Sequence, residues 1–384
     1  MKFEFATANR IIFGAGTSRQ IAEYAQGFGK RPFLITGQNS SRAEFAVQAL
    51  QNNGFTVTQF AITDEPSTPI VLEGVTLARD RACDFVIGIG GGSVIDGAKA
   101  IAALLTNDGQ PLDYLEVVGK GQPLQNAPAP AIAVPTTAGT GAEVTRNAVL
   151  TVPEQRVKVS LRSPLMLPDV AIVDPELTYS MPPGVTAVTG LDALTQLIEP
   201  FVSHLANPLT DALCREGFQR AGQSLRRAYE NGRDTNARND MALASLLGGL
   251  ALANAKLGAV HGFAGPIGGM FSAPHGAVCA RLLPYTIEAN VRALQSRQPE
   301  NPALQRYTEI ARILTGDPAA TVQDGVQWIQ SLCADLQIPG LATYGLTAND
   351  LPTVVNQSKN ASSMKGNPIQ LSEAELMHIL EQAL

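Results

Sequence analysis

Charge is in short supply in this sequence. Only 16% of its 384 residues are Asp, Glu, Lys or Arg, the net charge is −6, and basic residues never form a run. A surface without a cationic patch excludes nucleic acid and anionic membranes as partners. Cysteine is scarce too: Cys83, Cys214, Cys279 and Cys333 lie far apart and form no CxxC pair. Scattered thiols in a long chain fit a reducing compartment better than a disulfide framework. The opening MKFEFATANR has no apolar segment of the kind a secretory signal needs. The longest apolar stretch, 242–255, falls short of the ~18–20 residues that cross a bilayer and reads as a buried core helix. The expectation is a cytoplasmic protein with a small-molecule substrate.

Hydrophobic residues (45%), glycine (35) and proline (25) are plentiful. The chain exceeds the usual size of one hydrophobic core, so two domains are expected. In the first half, apolar runs at 31–36, 55–62, 84–90, 129–135 and 170–174 read as strands. Helical patterns such as 41–54 and 67–82 lie between the first four. That alternation predicts βαβ units and a largely parallel sheet. After about residue 180 strand signals give way to helical patterns at 192–205, 207–229, 236–260, 301–315, 321–336 and 372–383. The expected organisation is an α/β domain over 1–180 and an all-helical domain over 181–384.

Two glycine-rich turns follow strands of the first half. In GIGGGSVIDGAKAIAAL (88–104), Gly90, Gly91 and Gly92 allow close approach of a ligand, and Ser93 is placed to cap the helix that follows. The helix N-terminus offers unpaired N–H groups to a phosphate. In VPTTAGTGAEVTRNAVL (134–150), Thr136, Thr137, Thr140 and Thr145 surround Gly139 and Gly141, hydroxyls suited to phosphate and ribose. Either turn alone also fits ordinary loop chemistry. The usual Rossmann fingerprint sits in the first βα turn; here the glycines fall in the third unit, pointing to a different dinucleotide fold.

Histidine numbers only four, and two of the four, His261 and His275, share the segment AVHGFAGPIGGMFSAPHGAVCA (259–280), each followed by glycine. The prolines and glycines between them let the chain leave one helix and return, presenting both imidazoles together. TGLDALTQLIEPF (189–201) places Asp192 and Gln196 four residues apart, on one helix face. Asp192 also reads as a first-turn acid favoured by the helix dipole.

Taken together, the GGGS-x-x-D-x-x-K-A turn (90–100), the P-T-T-A-G-T-G run (135–141), the D-A-L-T helix and the H-G…P-H-G pair resemble the iron-containing alcohol dehydrogenase family, over nearly the whole chain. The resemblance implies an N-terminal dinucleotide-binding α/β domain with a parallel sheet and a C-terminal all-helical metal- and substrate-binding domain, the fold shared with dehydroquinate synthases. It implies an NAD(P)-dependent interconversion of an alcohol with an aldehyde or ketone, the metal acting as Lewis acid, in a homodimer. By motif position Asp192, His261 and His275 correspond to metal ligands. Gly90, Gly91, Gly92, Ser93, Thr136, Thr137 and Thr140 fall where the family holds its dinucleotide; Ser67 and Lys158 join that set, Lys158 as the lysine on the ribose. Asp96 and Lys99, on the helix after the glycine turn, face the same region and stand with Asp192 as catalytic candidates.

Two positions depart from the family pattern. Its fourth ligand, a histidine one turn after the aspartate, is here Gln196, and a second histidine, four residues past the first histidine ligand, is here Gly265. Gln196 remains a candidate ligand through its amide oxygen. With one imidazole gone, zinc becomes at least as good a candidate as Fe²⁺. After the first strand, where NAD-preferring relatives often carry an Asp, the chain reads Thr36-Gly37-Gln38-Asn39-Ser40-Ser41-Arg42. The absence of an acid at Gly37, with Ser40, Ser41 and Arg42 beyond, favours NADP over NAD. Lys365 either returns to the site as a substrate contact or is a surface lysine in a turn. The alternatives are a dehydroquinate-synthase-like or glycerol-dehydrogenase-like zinc enzyme, and a binding protein that has lost catalysis. The dehydroquinate-synthase-like alternative is disfavoured because 189–203 and 257–280 contain no lysine or arginine to hold a phosphorylated acid.

Overall fold

The computed structural model describes residues 2–384. They divide into two compact units, one of residues 6–137 and 141–179, the other of residues up to Phe5, 138–140 and 180–384.

The first unit is built on eight strands: β1 (Arg10–Phe13), β2 (Pro32–Thr36), β3 (Thr58–Ala61), β4 (Phe85–Gly90), β5 (Ala131–Pro135), β6 (Asn147–Val152), β7 (Val157–Arg162) and β8 (Val170–Val173). Six form one sheet in the order β1-β8-β5-β4-β2-β3, every pair parallel. Its helices are α1 (Ile21–Tyr24), α2 (Glu44–Asn52), α3 (Thr68–Asp80), α4 (Gly92–Leu105) and α5 (Pro111–Tyr114). β2, β4 and β8 are buried at every position, as expected where both faces of a parallel sheet are covered. Alternate residues feed two cores: Phe33 and Ile35 enter the one that contains α3 and α4, Leu34 the one that contains α1 and α2.

The strand order reverses beside β2, whose neighbours are β3 and β4. That is a topological switch point, and in open α/β sheets the crevice beyond the strand carboxyl ends at such a point is where ligands bind. The two chain segments leaving it are Gly37 after β2 and the glycine turn after β4.

Three strands were not anticipated. β1 is a four-residue edge strand, too short to stand out. β6 and β7 pair antiparallel from Asn147↔Arg162 to Val152↔Val157. β6 buries every second residue, so it lacks the continuous apolar run that marked the sheet strands.

The second unit is helical: α6 (Pro183–Val202), α7 (Pro208–Glu230), α8 (Thr235–Ala255), α9 (Ala259–Met270), α10 (His275–Arg297), α11 (Ala303–Thr315), α12 (Val322–Asp335), α13 (Leu351–Ser358) and α14 (Glu373–Ala383). The apolar stretch 242–255 is the buried half of α8, and among the described residues no single helix is long and apolar enough to cross a membrane. Three expectations need correction. α6 begins nine residues before Asp192 (183 against 192), so Asp192 sits in mid-helix and is not a first-turn acid. The pattern 236–260 is broken at 256–258, where Lys256 takes a left-handed φ of 61°. α9 and α10 were both missed: α9 carries four glycines and Pro266, α10 carries Pro284. Such sequences have poor intrinsic helicity and hold their shape by core packing, which propensity does not see.

Candidate active site

The helical unit gathers its scarce histidines around one carboxylate. Asp192 comes from α6, His261 from the first turn of α9, and His275 is the first residue of α10. Asp192 Oδ1 lies 3.4 Å from His261 Nε2 and 3.8 Å from His275 Nε2. The two rings stand 5.3 Å apart between centroids. α10 gets this close to α6 because residue 276 is glycine: a Cβ there would lie 2.1 Å from the Val188 carbonyl oxygen.

Two residues that the sequence reading passed over complete the arrangement. Glu199, two turns beyond Asp192 at i+7 on α6, accepts from His261 Nδ1 at 2.6 Å and from the Val260 backbone N–H at 2.7 Å. With Nδ1 carrying the proton, the lone pair of Nε2 faces Asp192, the outer carboxylate–histidine pairing seen behind metal-bound imidazoles. Cys279, one turn past His275 at i+4, puts its sulfur 3.7 Å from His275 Nε2 and 3.8 Å from His261 Nε2. Helical spacing alone was the available signal for both. The donor atoms of Asp192, His261, His275 and Cys279 all lie within 4.8 Å of one another.

Gln196 Nε2 donates to Asp192 Oδ2 at 2.9 Å. That hydrogen bond orients the carboxylate and leaves the amide oxygen, the atom expected as a ligand, without a protein partner. Asp192 Oδ1 and Gln196 Oε1 are buried with no hydrogen-bond partner, a costly state for a carboxylate oxygen unless a cation completes it. Electrostatics point the same way. Burial opposes the charged imidazoliums, but Cys279, with Glu199 and Asp192, pulls the His261 pKa well up, and Cys279 with Asp192 lifts His275 to about 9. Burial also pushes Asp192 up, yet His275 and His261 outweigh it and hold it below its ordinary value. The pocket favours positive charge, whether a proton or a metal. Asp192 and His261 are buried, whereas the His275 side chain is 40% exposed, so the site opens on that side.

In the α/β unit the glycine turn leaves β4 and enters α4 through Gly91, with Gly92 as first helical residue. Ser93 is inside the helix and makes no cap, correcting its expected role. A Cβ on Gly91 would meet only Thr137, at 3.5 Å, and its φ of −75° suits any residue. Neither packing nor backbone requires glycine there. The Thr136 backbone N–H donates to Gly90 oxygen at 2.8 Å, setting the threonine run beside the turn. A Cβ on Gly37 would lie 3.8 Å from Val94 and meet nothing closer, so the same crevice reaches Gly37. Beyond it, the Ser41 hydroxyl donates to Asn39 Oδ1 at 2.6 Å, and Ser40 and Arg42 are exposed on the short helical turn 40–43. Ser67 caps α3 through Ile70 N–H and bridges to Thr151, the cross-strand partner of Lys158. Lys158 Nζ lies 3.2 Å from Glu65.

Asp96 and Lys99 are corrected as catalytic groups. The Lys99 ammonium is buried and donates to Ala142 O and Thr145 Oγ1 at 2.9 Å, and to Asn147 O. Asp96 pairs with it at 2.9 Å and accepts from the Val149 N–H. Together they clamp the loop after β5 and the start of the β6–β7 hairpin onto α4, and Thr145 is drawn into that clamp. Lys365 is exposed on the turn Ser363–Gly366, the surface alternative of the two considered.

The family model for iron-containing alcohol dehydrogenase matches residues 8–175, and that for the C-terminal region of the Fe-containing alcohol dehydrogenase family matches 186–384. The chain belongs to the iron-containing alcohol dehydrogenase family. It is 37% identical to the long-chain-alcohol dehydrogenase 1 of Geobacillus thermodenitrificans, over 97% of this chain and 96% of that protein. Among solved structures it resembles a 1,3-propanediol oxidoreductase (TM-score 0.92, 32% identity, both chains covered fully). It also resembles a sulfoacetaldehyde reductase from Bifidobacterium kashiwanohense in complex with NAD⁺ (TM-score 0.86, 30% identity, 100% and 99% covered).

As a member of the iron-containing alcohol dehydrogenase family, the protein is a metal-dependent NAD(P)(H) oxidoreductase that interconverts alcohols with aldehydes or ketones. Its two departures from the family pattern have structural readings. Gln196 sits on Asp192 as described. At Gly265, on α9 one turn past His261, an added Cβ would meet nothing within 4 Å.

Proposed function

We propose that this enzyme reduces a small aldehyde, or oxidises the corresponding alcohol, with NADP(H) as preferred cofactor. The metal is held by Asp192, His261 and His275. The observation that carries the reading is Asp192 Oδ1, buried without a hydrogen-bond partner and facing two imidazole nitrogens at 3.4 and 3.8 Å. A divalent ion bound there supplies Lewis-acid polarisation of the substrate oxygen. Glu199 fixes the His261 tautomer, Gln196 fixes the Asp192 carboxylate, and the exposed side of His275 admits the substrate. The domain over 1–180 binds the dinucleotide and that over 181–384 the metal and substrate. Gly90, Gly91, Gly92, Thr136, Thr137 and Thr140 take the pyrophosphate and nicotinamide ends, with Ser67 and Lys158 on the ribose. Glycine at 265 offers no imidazole for proton relay, so the substrate proton exchanges with water or a cofactor hydroxyl.

The test is a spectrophotometric screen of aldehydes and semialdehydes with NADPH and NADH. Stoichiometric cofactor consumption with at least one aldehyde is expected. Turnover that regenerates its dinucleotide without net consumption would make the enzyme a cyclase of the dehydroquinate synthase kind and overturn the reading.

A further inference from the structure

One group at the metal centre has no part in the site as the family pattern draws it. Cys279 is buried on α10, one turn beyond His275, and its sulfur faces both imidazole Nε2 atoms. Its Sγ joins Asp192, His261 and His275 in a cluster whose donor atoms are mutually within 4.8 Å. On the opposite wall α6 carries Gln196 at the position of the family's fourth ligand, with its N–H turned onto Asp192.

From this exchange we infer that Cys279 is the fourth metal ligand. The imidazole lost from α6 is replaced by a thiolate from α10, which gives an Asp/His₂/Cys centre selective for zinc over iron. The inference rests on the reading of Asp192, His261 and His275 as metal ligands. Geometry supports it. A tetrahedral zinc with bonds of about 2.1 Å to nitrogen and oxygen and about 2.3 Å to sulfur has N···O edges of about 3.4 Å and N···S edges of about 3.6 Å. The corresponding separations are 3.4 and 3.8 Å for Asp192 to the two histidines, and 3.8 and 3.7 Å for Cys279 to them. Asp192 Oδ1, without a hydrogen-bond partner on a residue 2% exposed, is the second mark of an ion at this point.

Chemistry supports it too. On binding, the Cys279 thiol loses its proton to solvent and the sulfur forms the bond, with no change of oxidation state. Thiolate is a soft ligand that favours zinc, whereas an all-N/O set does not discriminate against Fe²⁺ in this way. Two anions, Asp192 and Cys279, also balance a divalent charge, which one aspartate with three neutral imidazoles does not.

The deciding experiment is zinc-edge X-ray absorption on the purified wild-type enzyme loaded with one zinc equivalent, read for its sulfur and imidazole scattering. One sulfur at about 2.3 Å together with two imidazoles is expected. In Cys279→Ser, with unaltered circular dichroism, the sulfur shell should vanish. Its zinc dissociation constant should rise by about a hundredfold or more, beyond the 10–100-fold typical of losing an outer partner. Two imidazoles with only oxygen besides would overturn the inference and leave the metal site standing. A shell without imidazole would overturn both. A sulfur shell that survives in Cys279→Ser belongs to another thiol and overturns the inference as well.

Discussion

Single residues mark where this enzyme's cofactor chemistry is decided. Gly91 is free, by packing and by backbone, to be another residue. Gly91→Val should therefore fold normally and lose dinucleotide binding, because its side chain enters the space the pyrophosphate needs. Calorimetric titration with NADP(H) checks this, and unchanged affinity would remove the turn from the site. Gly37 is equally unconstrained, with only Val94 nearby. A carboxylate there would oppose a 2′-phosphate, a repulsion of about 1–3 kcal/mol, or about one to two decades in affinity. Gly37→Asp should shift preference from NADPH towards NADH, mainly through KM, since the phosphate is remote from the hydride. The comparison is kcat/KM for both cofactors in both proteins; a wild type that already favours NADH tenfold would contradict the account. At this scale the sequence showed Asp192, His261 and His275 through rarity and motif. It could not show Cys279 or Glu199, whose meaning depends on which helix faces which.

Among the elements, the loop after β5 is held by a buried charge network: Lys99 from α4 reaches into it, and Glu143 on it is 2% exposed. Burial drives the Glu143 pKa up to about 7, against its own backbone N–H and the Lys99 charge, which lower it. The folded state thus holds this proton more tightly than the unfolded chain. Its stabilising contribution is complete below the ordinary value of 4.5 and is lost as pH rises through about 7. A shift of this size is worth about 3 kcal/mol. Glu143→Gln, which keeps the shape without the titration, should remove that slope, so its stability relative to wild type rises across the same window in urea unfolding. Parallel pH profiles for the two proteins would refute the assignment. Elements were legible where their pattern was strong: the four inner strands β2, β4, β5 and β8 run as apolar segments, and α7, α11, α12 and α14 carry amphipathic stripes. α9 and α10 were illegible because glycine and proline disguise helices that packing enforces, and these two carry both histidines and Cys279. The sequence therefore displayed the two histidines more clearly than the elements that bring them together.

For the whole molecule, membership in the iron-containing alcohol dehydrogenase family sets the reaction, and this chain's own residues set the terms on which the metal takes part. Asp192 Oδ1 has no hydrogen-bond partner, Glu199 and Gln196 hold His261 and Asp192 in place, and the local field favours a cation. All of this requires that turnover depend on an ion bound by Asp192, His261 and His275. Elemental analysis of the active enzyme, paired with the rate of aldehyde-dependent NAD(P)H oxidation before and after chelation, tests it most directly. The account predicts one divalent ion per chain, loss of activity on its removal, recovery on its return, and no bound ion in His261→Ala. Active enzyme without metal, or a rate indifferent to the chelator, would contradict it.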